Sequence, residues 1–183
     1  MIDRENFYEA IASSTAHRPI RDRLSGEAMA DPDCFSVLIE TALNPSDKYH
    51  YKACWILELV LEVKIDWLKD YLSVFCDVLS AYRHDGAVRS VSKICLFAVQ
   101  RDLKSYDGFL SSTQRQQVTE ACFDWLISNT KVASKAYAMR TLYLLGKENH
   151  WIHAELKHIL PQGFPLHSPA YQSAAKEILK KIR

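Results

Sequence analysis

The chain has 183 residues, of which 48% are hydrophobic and 25% charged, with a formal net charge of +1 at pH 7. One ordinary domain of this length can build a continuous apolar core, and its composition argues against disorder. The near-neutral balance exerts no global pull toward nucleic acid or an anionic membrane, and the scarcity of glycine (5) and proline (6) disfavours a turn-rich sheet protein.

The first residues, Met1-Ile-Asp-Arg-Glu-Asn6, are charged and lead into no long apolar run, so a secretory leader is not expected. No window approaches the roughly 18 uncharged apolar residues of a membrane-spanning helix. Residues 4–30 read as two short helices, a capping element. Phe7, Ala10 and Ile11 give a stripe on the first; Pro19 opens the second, which carries Ile20, Leu24 and Met29. Arg18, Arg21 and Arg23 alternate there with Asp22 and Glu27, as on a solvated face.

Asp31-Pro32 is a helix start, with a capping carboxylate followed by proline at the first helical position. Phe35, Leu38, Ile39, Ala42 and Leu43 follow at helical spacing until Asn44-Pro45 stops the helix. The next helix starts after Ser46 or Asp47 and carries Tyr51, Cys54, Trp55, Leu57, Leu59 and Leu61. A third long helix is expected from Asp66, with Trp67, Leu68, Tyr71, Leu72, Phe75, Val78 and Leu79. Arg83-His-Asp-Gly86 is a turn, and its partner helix bears Val88, Val91, Ile94, Cys95, Ala98 and Val99. A longer connection covers 105–109. Ser111-Ser-Thr-Gln114 offers a capping box to a helix with Val118, Ala121, Cys122, Trp125 and Leu126.

Residues 131–146 form the clearest amphipathic helix, with Val132, Ala136, Met139, Leu142, Tyr143 and Leu145 on one side and Lys135 and Arg140 off the stripe. A helix with Trp151, Ile152, Leu156, Ile159 and Leu160 follows. Pro161-Gln-Gly-Phe-Pro165 breaks it, and Ser168-Pro169 starts the last helix, whose basic end suits the helix dipole.

The five cysteines are widely spaced, odd in number and set among apolar neighbours, which predicts buried free thiols and a reducing, cytoplasmic location. The sequence holds no Cys-x-x-Cys pair, no Gly-x-Ser-x-Gly elbow and no glycine-rich phosphate loop, so neither a cofactor nor a catalytic residue is expected. His150 and His153 have a chelating spacing, but Glu155 and His158 point elsewhere on the helix and no metal is expected. Tyr49, Tyr51, Tyr82, Tyr106 and Tyr137 are the tyrosines whose exposure would bear on binding.

Four helix pairs emerge, and Cys54, Ser92, Ala138 and Ala175 recur in their second helices at steps of roughly 40 residues. Small residues at such positions allow neighbouring helices to approach closely. Over residues 31–183 the chain resembles HEAT-like, armadillo-type helical repeats. The resemblance implies an all-α fold, an α–α superhelix (solenoid) of helix pairs behind an N-terminal cap (1–30), as one domain over 1–183. It also implies a module that binds a macromolecule, protein or nucleic acid, with oligomeric state left open. Short bacterial chains of this look are also similar to proteins labelled adenylosuccinate lyase-like. That family's catalytic loop resembles Ser-Ser-x-Met-Pro-x-Lys-x-Asn, whereas the pairs here continue as Ser13-Ser-Thr-Ala-His-Arg-Pro19 and Ser111-Ser-Thr-Gln-Arg115. Neither carries the activity over.

Charge follows the repeat. The second helices of the pairs hold an excess of basic residues and the first helices an excess of acidic ones. In solenoids of the resembled kind the second helices line the concave side, so Arg89, Lys93, Lys135 and Lys176, with Arg140 nearby in register, are the expected binding ladder. HEAT-like alkylpurine DNA glycosylases use aromatic residues with a carboxylate and an arginine on that side. The corresponding candidates are Trp125 with Asp124, Trp55 and Arg140, although Trp125 sits at a core spacing on a first helix.

Overall fold

A computed structural model describes residues 4–105 and 107–182; Tyr106 lies outside them. Among the described residues there are helices and no strand. The chain divides into two compact units, Met1–Ile94 and Cys95–Arg183, whose boundary falls within one helix.

The N-terminal unit contains α1 (Arg4–Ser13), α2 (Arg18–Ala30), α3 (Pro32–Ala42), α4 (His50–Val63), α5 (Leu72–Val78) and the first part of α6 (Asp85–Ser105). Asp31 caps α3 by accepting from the Asp33 amide at 2.9 Å, as the Asp-Pro signal predicts. Helix α4 is the hub and packs on α1, α2 and α3. Its Ile56, Leu57 and Leu61 are buried with Phe7, Ile11, Leu24, Leu38 and Ile39, each such side chain contributing roughly 1.5–3 kcal/mol through lost apolar exposure. The arginine-rich surface of α2 closes on itself, Arg18 pairing with Asp22 and Arg23 with Glu27 one turn on.

One expected helix is different in kind. The segment from Asp66 is a 3-10 helix over Ile65–Tyr71, then α5, then a 3-10 turn over Leu79–Ala81. Apolar residues three and four apart suit either winding over so short a span, so periodicity does not separate the two. The observed winding buries Leu68 fully and places Trp67 and Tyr71 edge-on to the Phe35 ring.

The C-terminal unit contains the rest of α6 with α7 (Ser112–Ile127), α8 (Val132–Leu145), α9 (His150–Gln162) and α10 (Pro169–Lys181). Helix α8 is the hub, packing on α7, α9 and α10. The capping box forms as expected: Ser111 Oγ accepts from the Gln114 amide at 3.2 Å, and Gln114 Oε1 accepts from the Ser111 amide at 2.9 Å. Asp102, fully buried on α6, accepts from the Leu110 amide at 3.0 Å and from Arg115 Nε at 2.7 Å. That carboxylate fixes the chain as it leaves Gly108, whose φ of 71° suits a residue without Cβ.

The small residues that mark the repeat, Cys54, Ser92, Ala138 and Ala175, are all fully buried. All five cysteines are buried thiols outside any disulfide, and burial pushes the Cys54, Cys76 and Cys122 thiols up to about 12. Trp151 departs from its core-like spacing, with 59% of its surface exposed. No helix among the described residues is long and apolar enough to cross a membrane.

Candidate functional site

The basic residues of the second helices fall into three environments. On α6, Arg89 and Lys93 converge on Glu58 of α4, a carboxylate with a side chain only 2% exposed. Glu58 accepts from Arg89 Nη1 at 3.0 Å, from Ser90 Oγ at 2.6 Å and from Lys93 Nζ at 3.0 Å. Lys93 also reaches Glu62 at 3.2 Å. Desolvation alone would lower the Lys93 ammonium, but hydrogen bonds and attraction from Glu58 and Glu62 outweigh it and raise its pKa. Much of the charge of these two cations is therefore already answered within the unit.

Lys135 is not on the surface. It is 2% exposed, and its Nζ donates to the carbonyl oxygens of Leu126 and Ser128, each at 2.6 Å. Those carbonyls lie at the end of α7, where the helix leaves acceptors unpaired and its dipole favours a cation. Burial lowers the Lys135 pKa. An exposed ladder that includes Lys135 is corrected by this position: the side chain folds back to close the preceding helix.

Arg140 and Lys176 are exposed. Arg140 Nη2 lies 3.6 Å from Glu177 Oε2, and Lys181 Nζ lies 2.6 Å from Glu177 Oε1. The hydrogen bond from Lys181 outweighs the opposing desolvation and, with attraction from Lys181 and Arg140, holds the Glu177 carboxyl below its usual range. Tyr143 stands in the same neighbourhood, with Lys147 Nζ 5.4 Å and Lys181 Nζ 5.9 Å from its ring centre. Lys176 lies 5.8 Å from the Phe164 ring. Glu177 is the one acidic residue within α8 and α10. Tyr143, Lys147 and Lys181 were not singled out by the sequence ladder. Their signal was local: Lys147 is one turn beyond Tyr143, and Lys181 one turn beyond Glu177.

The glycosylase-like arrangement is not built at the positions expected for it. Trp125 is 5% exposed and belongs to the core, so its face is closed to a base. Trp55 belongs to the N-terminal unit, where it packs edge-on to Tyr51 at 5.1 Å. His150 and His153 do not converge. His153 stacks on Tyr143 at 5.5 Å, with Nε2 held 2.8 Å from the Tyr143 carbonyl oxygen, while His150 is exposed. Among the described residues no group of three or more histidine, cysteine, aspartate or glutamate side chains is placed to hold a metal. Of the tyrosines, Tyr82 is buried and donates to the Ala42 carbonyl at 2.7 Å, whereas Tyr49, Tyr51 and Tyr137 are half-buried.

Paired helices, buried small residues at the repeat register and charged outer surfaces define an all-α helical-repeat binding protein. The family comparison agrees: a model of the HEAT repeat domain matches residues 9–182, and the chain belongs to that family. Neither a curated protein nor a solved structure matches it.

Proposed function

We propose that this HEAT-repeat chain is a non-catalytic binding module that docks an acidic protein segment on the basic face of α8 and α10. The observation that carries the reading is the grouping of Arg140, Lys147 and Lys181 around Tyr143 and Glu177. The Arg140–Glu177 pair is 3.6 Å long with both side chains more than two-fifths exposed, so it is weak and exchangeable. A partner's carboxylate can take the Arg140 guanidinium in a two-pronged bond, and an adjacent apolar side chain can rest on Tyr143. Lys176 beside Phe164 extends the same chemistry along α10.

A protein partner is favoured over nucleic acid by the count of available cations. A phosphate backbone rewards a long run of unpaired charges, whereas Lys135 is buried and Arg89 and Lys93 are engaged by Glu58. The test is fluorescence anisotropy with a labelled peptide alternating glutamate and leucine, its glutamine counterpart and a short duplex DNA, at low and moderate salt. Tighter binding of the acidic peptide, weakened about tenfold or more by Arg140→Glu with Lys181→Glu, is expected. Equal binding of the acidic and neutral peptides overturns the proposal, and stronger salt-dependent binding of DNA reassigns the face to nucleic acid.

A further inference from the structure

Beyond that reading, the C-terminal unit presents a second surface of opposite character, on α7 and the start of α9. A groove of about 750 Å³ opens there, with Phe123 and Trp151 among its walls. The two rings stack at 5.8 Å and 23°. Trp151 nevertheless leaves 59% of its surface exposed, and Ile127, one turn beyond Phe123, leaves 66% exposed. A tryptophan stacked on its neighbour but open to solvent has a free π-face at fixed orientation.

The charge of the groove selects its occupant. Glu120, Asp124 and Glu148 line it, and Arg115 is the one basic side chain among its described lining residues. Arg115 is already held at 2.7 Å by Asp102 and at 3.1 Å by Glu148. Glu120 accepts from the neutral amide of Gln116, Nε2 at 2.9 Å, and neither Glu120 nor Asp124 makes an ion pair among the described residues. An aromatic wall edged by carboxylates without matching cations repels phosphate and attracts a guanidinium or ammonium.

We propose that this groove docks a cationic peptide segment, an arginine or lysine stacking on Trp151 within reach of Asp124 and Glu120 while an adjacent apolar residue covers Phe123 and Ile127. Arginine fits best, because its planar guanidinium can stack on the indole and present donors to carboxylates at its edge.

The experiment is a nitrogen-15 NMR titration of the full chain with an Arg-Leu-Arg-Leu peptide and its Glu-Leu-Glu-Leu counterpart. The Trp151 indole signal is identified by its loss in Trp151→Phe. The proposal expects that signal to move with the cationic peptide and stay still with the acidic one. Asp124→Lys should weaken the cationic peptide about tenfold, and Arg140→Glu, on the other face, should not weaken it. Both altered residues are exposed, and unchanged far-UV circular dichroism verifies folding. An unmoved indole signal, or a shift that survives Asp124→Lys at full strength, overturns the proposal. Sedimentation of the chain alone checks the remaining occupant. Self-association abolished equally by Asp124→Lys and Arg140→Glu would assign the groove to the basic face of a second copy and overturn the peptide reading. Failure of the acidic-peptide test on α8 and α10 leaves these outcomes unchanged, so the two proposals fall separately.

Discussion

The ammonium of Lys135 donates to the Leu126 carbonyl at 2.6 Å from a site only 2% exposed, joining α8 to the end of α7. Lysine here is a helix-closing residue. Lys135→Met removes the donors and leaves two carbonyl oxygens seeking partners, which costs about 2 kcal/mol. Urea denaturation checks this, and binding of acidic peptides should be unaffected. The pH dependence has a definite sign. Burial lowers the folded-state pKa of Lys135 below the ordinary 10.5, so the unfolded chain binds more protons between the two values. The stability advantage of the wild type over Lys135→Met therefore widens as pH rises through that window, and stays flat below it.

Glu58 is a second buried polar hub. It takes bonds from Arg89, Ser90 and Lys93, so Glu58→Leu removes the buried acceptor of a partly buried ammonium, which keeps Glu62, and strands the Ser90 hydroxyl. Breaking a buried pair from one side costs about 3 kcal/mol. Glu58→Leu combined with Lys93→Met should recover part of that loss, since the less exposed of the two cations goes with its acceptor while Arg89, at 39% exposed, keeps water. Thermal melts of the single and double variants form the cycle, and equal losses in both would refute the ion-pair account.

Asp102→Asn tests the connection into α7. The carboxylate receives the Leu110 amide and the Arg115 guanidinium while fully buried. An amide at this place offers one acceptor oxygen in place of two. Hydrogen exchange at the Leu110 amide should accelerate about tenfold, corresponding to about 1.4 kcal/mol of lost local protection. Exchange at Met139, in the core of α8, should change far less.

Gly146 is required for close approach. Its φ is −66°, an ordinary helical value, but a Cβ added there would run into the His153 imidazole. Gly146→Ala must therefore push His153 away from Tyr143 and its carbonyl, costing about 1–3 kcal/mol of overpacking and a lost bond. A lower melting temperature checks it, and His153→Ala should make the substitution nearly neutral.

Much of the architecture was legible because local chemistry and repetition agreed. Asp31-Pro32 and Ser111 with Gln114 announced their helix starts, and Cys54, Ser92, Ala138 and Ala175 marked a register that proved fully buried. The expected face was less legible, because a side chain's periodicity does not fix its reach. Lys135 lies off the apolar stripe, yet its four-carbon stem carries the ammonium inward to carbonyls that only the packed helix pair supplies. Glu58 sits among Ile56, Leu57 and Leu59 and reads as part of an apolar run, so its capture of Arg89 and Lys93 is invisible before α4 and α6 meet. Trp151 fits a core spacing but is open because its ring stacks outward on Phe123.

The most direct measurement of the central claim is to map an acidic glutamate–leucine peptide on the nitrogen-15-labelled chain by amide chemical shifts. The account predicts shifts concentrated around Arg140, Tyr143, Lys147, Glu177 and Lys181, fading with added salt and lost in Arg140→Glu with Lys181→Glu. Shifts centred instead on Arg89 and Lys93, or no shifts from an acidic peptide with the chain folded, would contradict it.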